Sequence, residues 1–255
     1  MQIVNQNTDV IESAPVAIIG DVHECVEELK VLVSVLPESA HLVFVGDLID
    51  KSGDTKGILT YMSQLMETRS VSLVLANHER YVARRILNEI SENPAVEPFV
   101  FTATQLAIND PEIAAMILEI YSKMVPFVRI SRKTGNFAWV THAPCLEAHL
   151  GGTSPKDIAA QANFRFQSRD SEEDMISELD FVFKEACPSK DLHIFGHVPV
   201  LNGPIKVGNK VFLDTGCFAG GSLSAIILDG DSETFVSVPS SHQGEGTFLD
   251  IKSYL

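Results

Sequence analysis

Short apolar, β-branched runs recur along the chain, and each ends in a polar cluster. Val16-Ala17-Ile18-Ile19 leads into Gly20-Asp21-Val22-His23, and His41-Leu42-Val43-Phe44-Val45 into Gly46-Asp47. Val71-Ser72-Leu73-Val74-Leu75 leads into Ala76-Asn77-His78-Glu79. Phe137-Ala138-Trp139-Val140 leads into Thr141-His142, and Leu192-His193-Ile194-Phe195 into Gly196-His197. Near-continuous apolar runs of this length predict strands buried on both faces. Between them, Cys25 to Leu36 places Val26, Leu29, Leu32 and Val33 at helical spacing, and Gly57 to Thr68 does the same with Ile58, Leu59, Met62 and Leu65. Strand–helix alternation of this kind predicts an α/β fold with right-handed crossovers.

From Glu79 to about Met124 the pattern is helical, punctuated by Pro94, Pro98 and Pro111. This stretch falls between two strand-end clusters, so it reads as a helical insertion at about 80–125 within a single domain over 1–255. Segment 145–190 is polar and predicts mixed loop and helix. After Gly196 the β pattern returns in Lys210 to Asp214, Ser222 to Leu228 and Glu233 to Val238, with Asp229-Gly230 as a hairpin turn.

Composition narrows the choice of partner. With 255 residues at 45% hydrophobic content, the chain can bury a core without disulfides. Its formal charge of −15, from 34 acidic and 19 basic residues, repels long nucleic acid and anionic membrane, although one local phosphate site stays compatible with it. Cys25, Cys145, Cys187 and Cys217 form no CxxC motif and read as free buried thiols in a reducing compartment. With no basic-then-apolar start and no apolar run long enough to span a bilayer, the expected location is cytoplasmic.

The candidate chemistry sits where the strands end. Asp21, His23, Asp47, Asn77, His142 and His197 all follow apolar runs, and ligands gather at the carboxyl ends of strands in α/β sheets. Asp21 and His23 are two residues apart, so extended backbone would put them on one face. Asp47 has two oxygens with which to bridge two ions, and Asn77 offers a neutral carbonyl oxygen. This mixture of imidazole and carboxylate suits Mn, Fe or Zn better than Ca. Taken singly, each residue has an ordinary reading as a helix cap, a turn former or a satisfied strand-end histidine. Six in equivalent positions do not.

The motifs Gly20-Asp21-Val22-His23, Gly46-Asp47-Leu48-Ile49-Asp50, Asn77-His78-Glu79, Thr141-His142-Ala143-Pro144 and Gly196-His197-Val198-Pro199 resemble the ordered signature of calcineurin-like metallophosphoesterases. The similarity is greatest to the branch of phosphoprotein phosphatases and bacterial diadenosine-tetraphosphatase-like enzymes. The resemblance implies two packed mixed β-sheets flanked by helices. It also implies two divalent ions, with Mn2+ first and Fe or Zn as alternatives. Asp21 and His23 would hold one ion, Asp47 would bridge, and Asn77, His142 and His197 would complete the second. His78 would be the general acid and Asp50 its orienting carboxylate, keeping the ring protonated. Two ions about 3.5–4 Å apart would activate water and clamp the phosphoryl oxygens, so a dimetal-bound hydroxide would attack in line. The implied substrate is a phosphomonoester, on a protein or a small molecule. A dinucleoside polyphosphate of the diadenosine tetraphosphate type is the alternative. A third reading, a degenerate scaffold that binds protein, is opposed by the retention of His78 and Asp50.

Three departures from the family pattern stand beside these residues. Glu24 replaces the glycine of GDxHG, Lys51-Ser52 replaces the Arg-Gly of GDxxDRG, and Ala76 replaces the glycine before Asn77. Lys51 would meet phosphate as a point charge where the family arginine offers a planar fork. A second phosphate-binding arginine is expected between His142 and His197, with Arg165 the first candidate and Arg169 the second. Arg80 reads as structural. His41, His149, His193 and His242 fall outside the pattern, and Cys145 outside the ligand set.

Overall fold

The computed structural model describes residues 9–11, 14–91, 97–163, 180, 184, 191–200, 202–243 and 248. Two six-stranded mixed sheets form its centre. One is ordered β12-β11-β2-β3-β4-β5, from β2 (Val16–Ile19), β3 (His41–Phe44), β4 (Val71–Val74), β5 (Met124–Val125), β11 (Ser222–Asp229) and β12 (Ser232–Pro239). The other is ordered β1-β6-β7-β8-β10-β9, from β1 (Asp9–Ile11), β6 (Val128–Ser131), β7 (Phe137–Val140), β8 (Leu192–Phe195), β9 (Ile205–Val207) and β10 (Lys210–Phe212).

Strand alternation explains why the apolar runs are continuous. In β2, Val16 and Ile18 enter a core shared with Val128, Ile130, Val140 and Ile194 of the opposite sheet. Ala17 and Ile19 enter a second core with the helices. A strand with an apolar layer on each side has no polar face to show. β2, β3, β4 and β5 run parallel, as crossovers require, whereas β11 is antiparallel to both β2 and β12. The β11–β12 hairpin turns at Gly230, whose φ of +60° lies in the left-handed region that glycine enters without strain.

Helices α1 (Val26–Val35) and α2 (Thr55–Thr68) occupy the crossovers that periodicity predicted. Asp54 caps α2 by accepting from the Gly57 N–H, and Asp110 caps α5 (Pro111–Lys123) with proline at its first turn. Ser154 and Asp157 form a reciprocal capping box on α6 (Pro155–Ala162). Between β4 and β5 lie α3 (Asn77–Ile86), α4 (Glu97–Asn109) and α5, which pack on one another. Their buried Val82, Ala103, Ile113 and Ile117 join the same core as α1 and α2. Strands β1, β5, β6 and β9 carry no isolated apolar signal of the kind that marks the others. They have two to four residues each and take their conformation from the neighbours they pair with.

Candidate metal centre and active site

Backbone conformation locates the site before any side chain does. Eight non-glycine residues have positive φ among the described residues, and His23, Glu24, Asp47, Asp50, Lys51 and His197 are six of them. Non-glycine residues avoid this region, and strain of this kind collects at functional sites. His23 has a φ of +45° in a turn beyond β2, which corrects the expectation that extended backbone aligns it with Asp21. The turn carries His23 to Asp47 and His78, whereas Asp21 meets the His197 N–H.

The loops after β2, β3, β4, β7 and β8 bring the predicted residues to one end of the two sheets. The His23 ring Nδ1 lies 3.1 Å from the Ile49 carbonyl, and that of His142 lies 3.0 Å from the Val45 carbonyl. Each carbonyl can only accept, so each ring carries its proton on Nδ1 and turns the Nε2 lone pair inward. Both lone pairs face Asp47, with Oδ2 lying 3.5 Å from His23 Nε2 and 3.4 Å from His142 Nε2. His142 Nε2 also meets Asn77 Oδ1 at 2.7 Å and His197 Nδ1 at 3.2 Å. Asp21 accepts from the His197 N–H at 3.0 Å through Oδ2, while its buried Oδ1 has no hydrogen-bond partner.

A set of inward-facing acceptors without donors suits a cation. Burial, then Asp214 and Asp47, push the Asp21 carboxyl well above the ordinary range. Burial and Glu79 do the same to Asp47. Burial and neighbouring imidazoles hold His23 and His142 well below theirs. Divalent ions would relieve the anionic repulsion and engage the lone pairs together, so the donor set fits them. At these strand ends, two clusters have ligand atoms within 4.8 Å of one another: His23, Asp47 and His78, and Asp47, His142 and His197. Asp47 belongs to both. His78 stands in the first cluster where the family pattern has Asp21.

The His78 Nδ1 lies 2.8 Å from Asp50 Oδ2, and Asp50 Oδ1 accepts from the Ala103 N–H of α4 at 2.9 Å. Burial drives His78 down to about 3 and Asp50 up to about 7. Burial thus disfavours the charged form of each partner, so a neutral arrangement with the shared proton on Asp50 stands beside the protonated ring that the resemblance implied. The proton count is the same either way. With Asp50 donating to Nδ1, the neutral ring still carries a proton on Nε2.

Two carboxylates outside the predicted set hold the loops in place. Glu79 accepts from the Leu48 N–H at 2.6 Å and from the Asp47 and Ile49 N–H groups at 3.2 and 3.3 Å. Glu24, where the family has glycine, accepts from the Asp50 N–H at 2.8 Å and from the Gly53 N–H and the Thr55 hydroxyl at 2.5 Å each. Glu79 was visible in its motif, whereas the role of Glu24 follows only from the loop folding back over it. Phe218 sets its ring edge-on to His23 at 5.0 Å, and Lys51 Nζ lies 5.7 Å from the Phe218 ring centre. Lys51 itself is exposed. Arg165 and Arg169 lie outside the described residues. His193 is a packed histidine, its Nε2 2.8 Å from the Thr141 hydroxyl.

A calcineurin-like phosphoesterase family model matches residues 14–227, most of the chain. The chain belongs to the calcineurin-like phosphoesterase family. It is therefore a metal-dependent phosphoesterase, a hydrolase. Among curated members, it is 25% identical over 243 residues to the bis(5'-nucleosyl)-tetraphosphatase PrpE [asymmetrical] of Oceanobacillus iheyensis, covering 88% of this chain and 91% of that one. It is 22% identical over 256 residues to the symmetrical bis(5'-nucleosyl)-tetraphosphatase of Cellvibrio japonicus, covering 83% and 94%. Among solved structures, a putative diadenosine tetraphosphatase superposes with a TM-score of 0.60 at 21% identity, over 91% of this chain and 98% of that one. The cold-active protein-tyrosine phosphatase of a psychrophilic Shewanella superposes with a TM-score of 0.54 at 15% identity, over 92% and 83%. These superpositions show the two-sheet family fold. Among the described residues, no helix is long and apolar enough to cross a membrane.

Proposed function

We propose that Asp21, His23, Asp47, Asn77, His142 and His197 hold two divalent ions, with Mn2+ preferred, and that the substrate is a dinucleoside polyphosphate. The observation that carries the ion assignment is Asp47, whose carboxylate faces the Nε2 lone pairs of His23 and His142 from a shared position. Bound divalent ions activate water and neutralise phosphoryl oxygens for in-line displacement. His78 donates its Nε2 proton to the leaving oxygen as the phosphorus–oxygen bond breaks. Asp50 hands its proton to Nδ1 in the same step, so the negative charge left in the pair rests on the Asp50 carboxylate, which accepts from the ring and from the Ala103 N–H, and not on an imidazolate. Lys51, exposed beside Phe218, meets an outer phosphate as a point charge, and Arg165 is the second candidate contact.

The choice of substrate is supported by the curated relatives, which carry tetraphosphatase names and align along nearly their whole length. Phosphomonoester hydrolysis, ranked first on sequence alone, would use the same site. The buried thiols of Cys25, Cys145 and Cys217 suit a cytoplasmic setting.

The test compares diadenosine tetraphosphate, para-nitrophenyl phosphate and phenyl phosphate with Mn2+, in the wild type and in His78→Asn. Preferred turnover of the dinucleotide supports the substrate assignment, and preferred turnover of both monoesters replaces it. The His78→Asn loss should be about 10²–10⁴-fold on phenyl phosphate, whose leaving oxygen needs a proton, and smaller on para-nitrophenyl phosphate. Equal losses on the two esters would remove His78 as the acid.

A further inference from the structure

A second group of metal-binding side chains lies outside this site. Cys25, Glu28 and His242 present one ligand atom each within 4.8 Å of one another. Cys25 precedes α1, Glu28 occupies its first turn, and His242 follows β12. The Cys217 thiol packs against Cys25 and Ser240.

Two features distinguish this group from an incidental contact. Glu28 is only 4% exposed, and its Oε1 is fully used, accepting from the Ser241 N–H and hydroxyl at 2.8 and 2.7 Å. Its Oε2 points into the cluster with no hydrogen-bond partner. The His242 Nε2 approaches that oxygen at 3.6 Å, within ion-pair range and beyond a hydrogen bond. A buried carboxylate oxygen left without a hydrogen bond is costly, and a cation between it, the thiols and the imidazole would satisfy all of them together. Besides the Cys217 thiol packed against it, Cys25 makes only long contacts, its sulfur lying 3.6 Å from the Ser52 hydroxyl and 3.8 Å from the His23 carbonyl.

We propose that Cys25, Cys217, Glu28 and His242 form a structural zinc site. Thiolate and imidazole ligands select zinc over the harder ions, and four protein ligands close the coordination sphere, leaving no open position for catalysis. Tetrahedral zinc, with bonds of about 2.0–2.3 Å, needs ligand atoms about 3.3–3.8 Å apart, so Cys25, Glu28 and His242 require only a modest contraction, and Cys217, packed against Cys25, would complete the set. The half-exposed His242 gives an entry path. Such an ion would fasten three parts of the chain that are remote in sequence: the turn that carries His23, the turn that carries Phe218 against His23, and the segment after β12.

The test uses the full-length protein, stripped of metal, kept reduced with a phosphine and titrated with Co2+. Cobalt bound to thiolate gives a near-ultraviolet charge-transfer band. The dinuclear centre, built from nitrogen and oxygen ligands, cannot give one, so this result stands apart from the proposed catalytic reading. The band is expected in the wild type and in Asp47→Asn, should weaken in Cys25→Ser, and should be lost in the Cys25→Ser/Cys217→Ser double variant. His242→Ala alters a half-exposed side chain, leaves the buried core intact and should weaken cobalt binding about tenfold or more. A reduced wild type without the band, a band undiminished in Cys25→Ser or surviving in the double variant, or unchanged affinity in His242→Ala would overturn the site.

Discussion

Gly196→Ala adds one methyl group at the point where the second sheet delivers His197. A Cβ built on Gly196 would lie 1.8 Å from Asp21 Oδ1 and 2.8 Å from Val45 Cγ2. Real Cβ contacts stay beyond 3.0 Å, so the Asp21 carboxylate must retreat by more than 1 Å. Its room to do so is small, because Oδ2 is tied to the His197 N–H and the surrounding residues are buried. Gly196 is not at positive φ, so the substitution is a steric test free of backbone strain. Overpacking of this kind costs about 1–3 kcal/mol, or about 2–12 °C in Tm for a chain of this size. A displacement of about 1 Å in a catalytic constellation lowers activity about 100-fold. The assay pairs isothermal titration with Mn2+ and kcat/KM on the preferred substrate, with circular dichroism to confirm folding. A folded Gly196→Ala protein with wild-type metal affinity and turnover would refute the placement of Asp21 in the site.

Other predictions follow from the same contacts. Glu24→Ala leaves the buried Asp50 N–H, the Gly53 N–H and the Thr55 hydroxyl without their acceptor, and should destabilise the protein by about 3 kcal/mol or more in urea titration. A loss below about 1 kcal/mol would mean that the loop finds other partners. Burial raises the pKa of Glu233, but hydrogen bonds from Lys206 and Arg132 outweigh it and hold the carboxyl below its ordinary value. Its contribution is therefore present above the unfolded pKa of about 4.3 and is lost as pH falls through the lower folded value. Glu233→Gln should thus lower the urea midpoint at pH 7 and leave it near that of the wild type at the acid end of the folded range. An equal deficit at both pH values would assign the effect to packing. Chelator treatment should abolish turnover and lower Tm, since ions at 100 times their Kd contribute about 2.7 kcal/mol. An unchanged Tm at complete metal loss would mean that the described fold does not depend on the ions.

The amino-acid sequence determined the central strands, α1 and α2, and the residues that gather at the strand ends. Local composition suffices for these: apolar runs such as Val16–Ile19 specify burial on both faces, and the polar cluster after each run marks where the chain leaves the sheet. The short strands β1, β5, β6 and β9 were decided by tertiary pairing, because none of them carries the continuous apolar run that marks β2 and β3. The left-handed turn at His23 was likewise beyond local reading, since an Asp-Val-His stretch fits extended backbone equally well. Only the folded chain shows that Glu24 replaces a glycine with a carboxylate that ties down the Asp50 loop, because its partners lie 26 to 31 residues away. The protonation balance of His78 and Asp50 was also a tertiary matter, set by burial of both groups against α4. His242 had no motif to mark it. Its neighbours Cys25 and Glu28 lie more than 200 residues earlier, and packing of the segment after β12 on α1 alone brings them together.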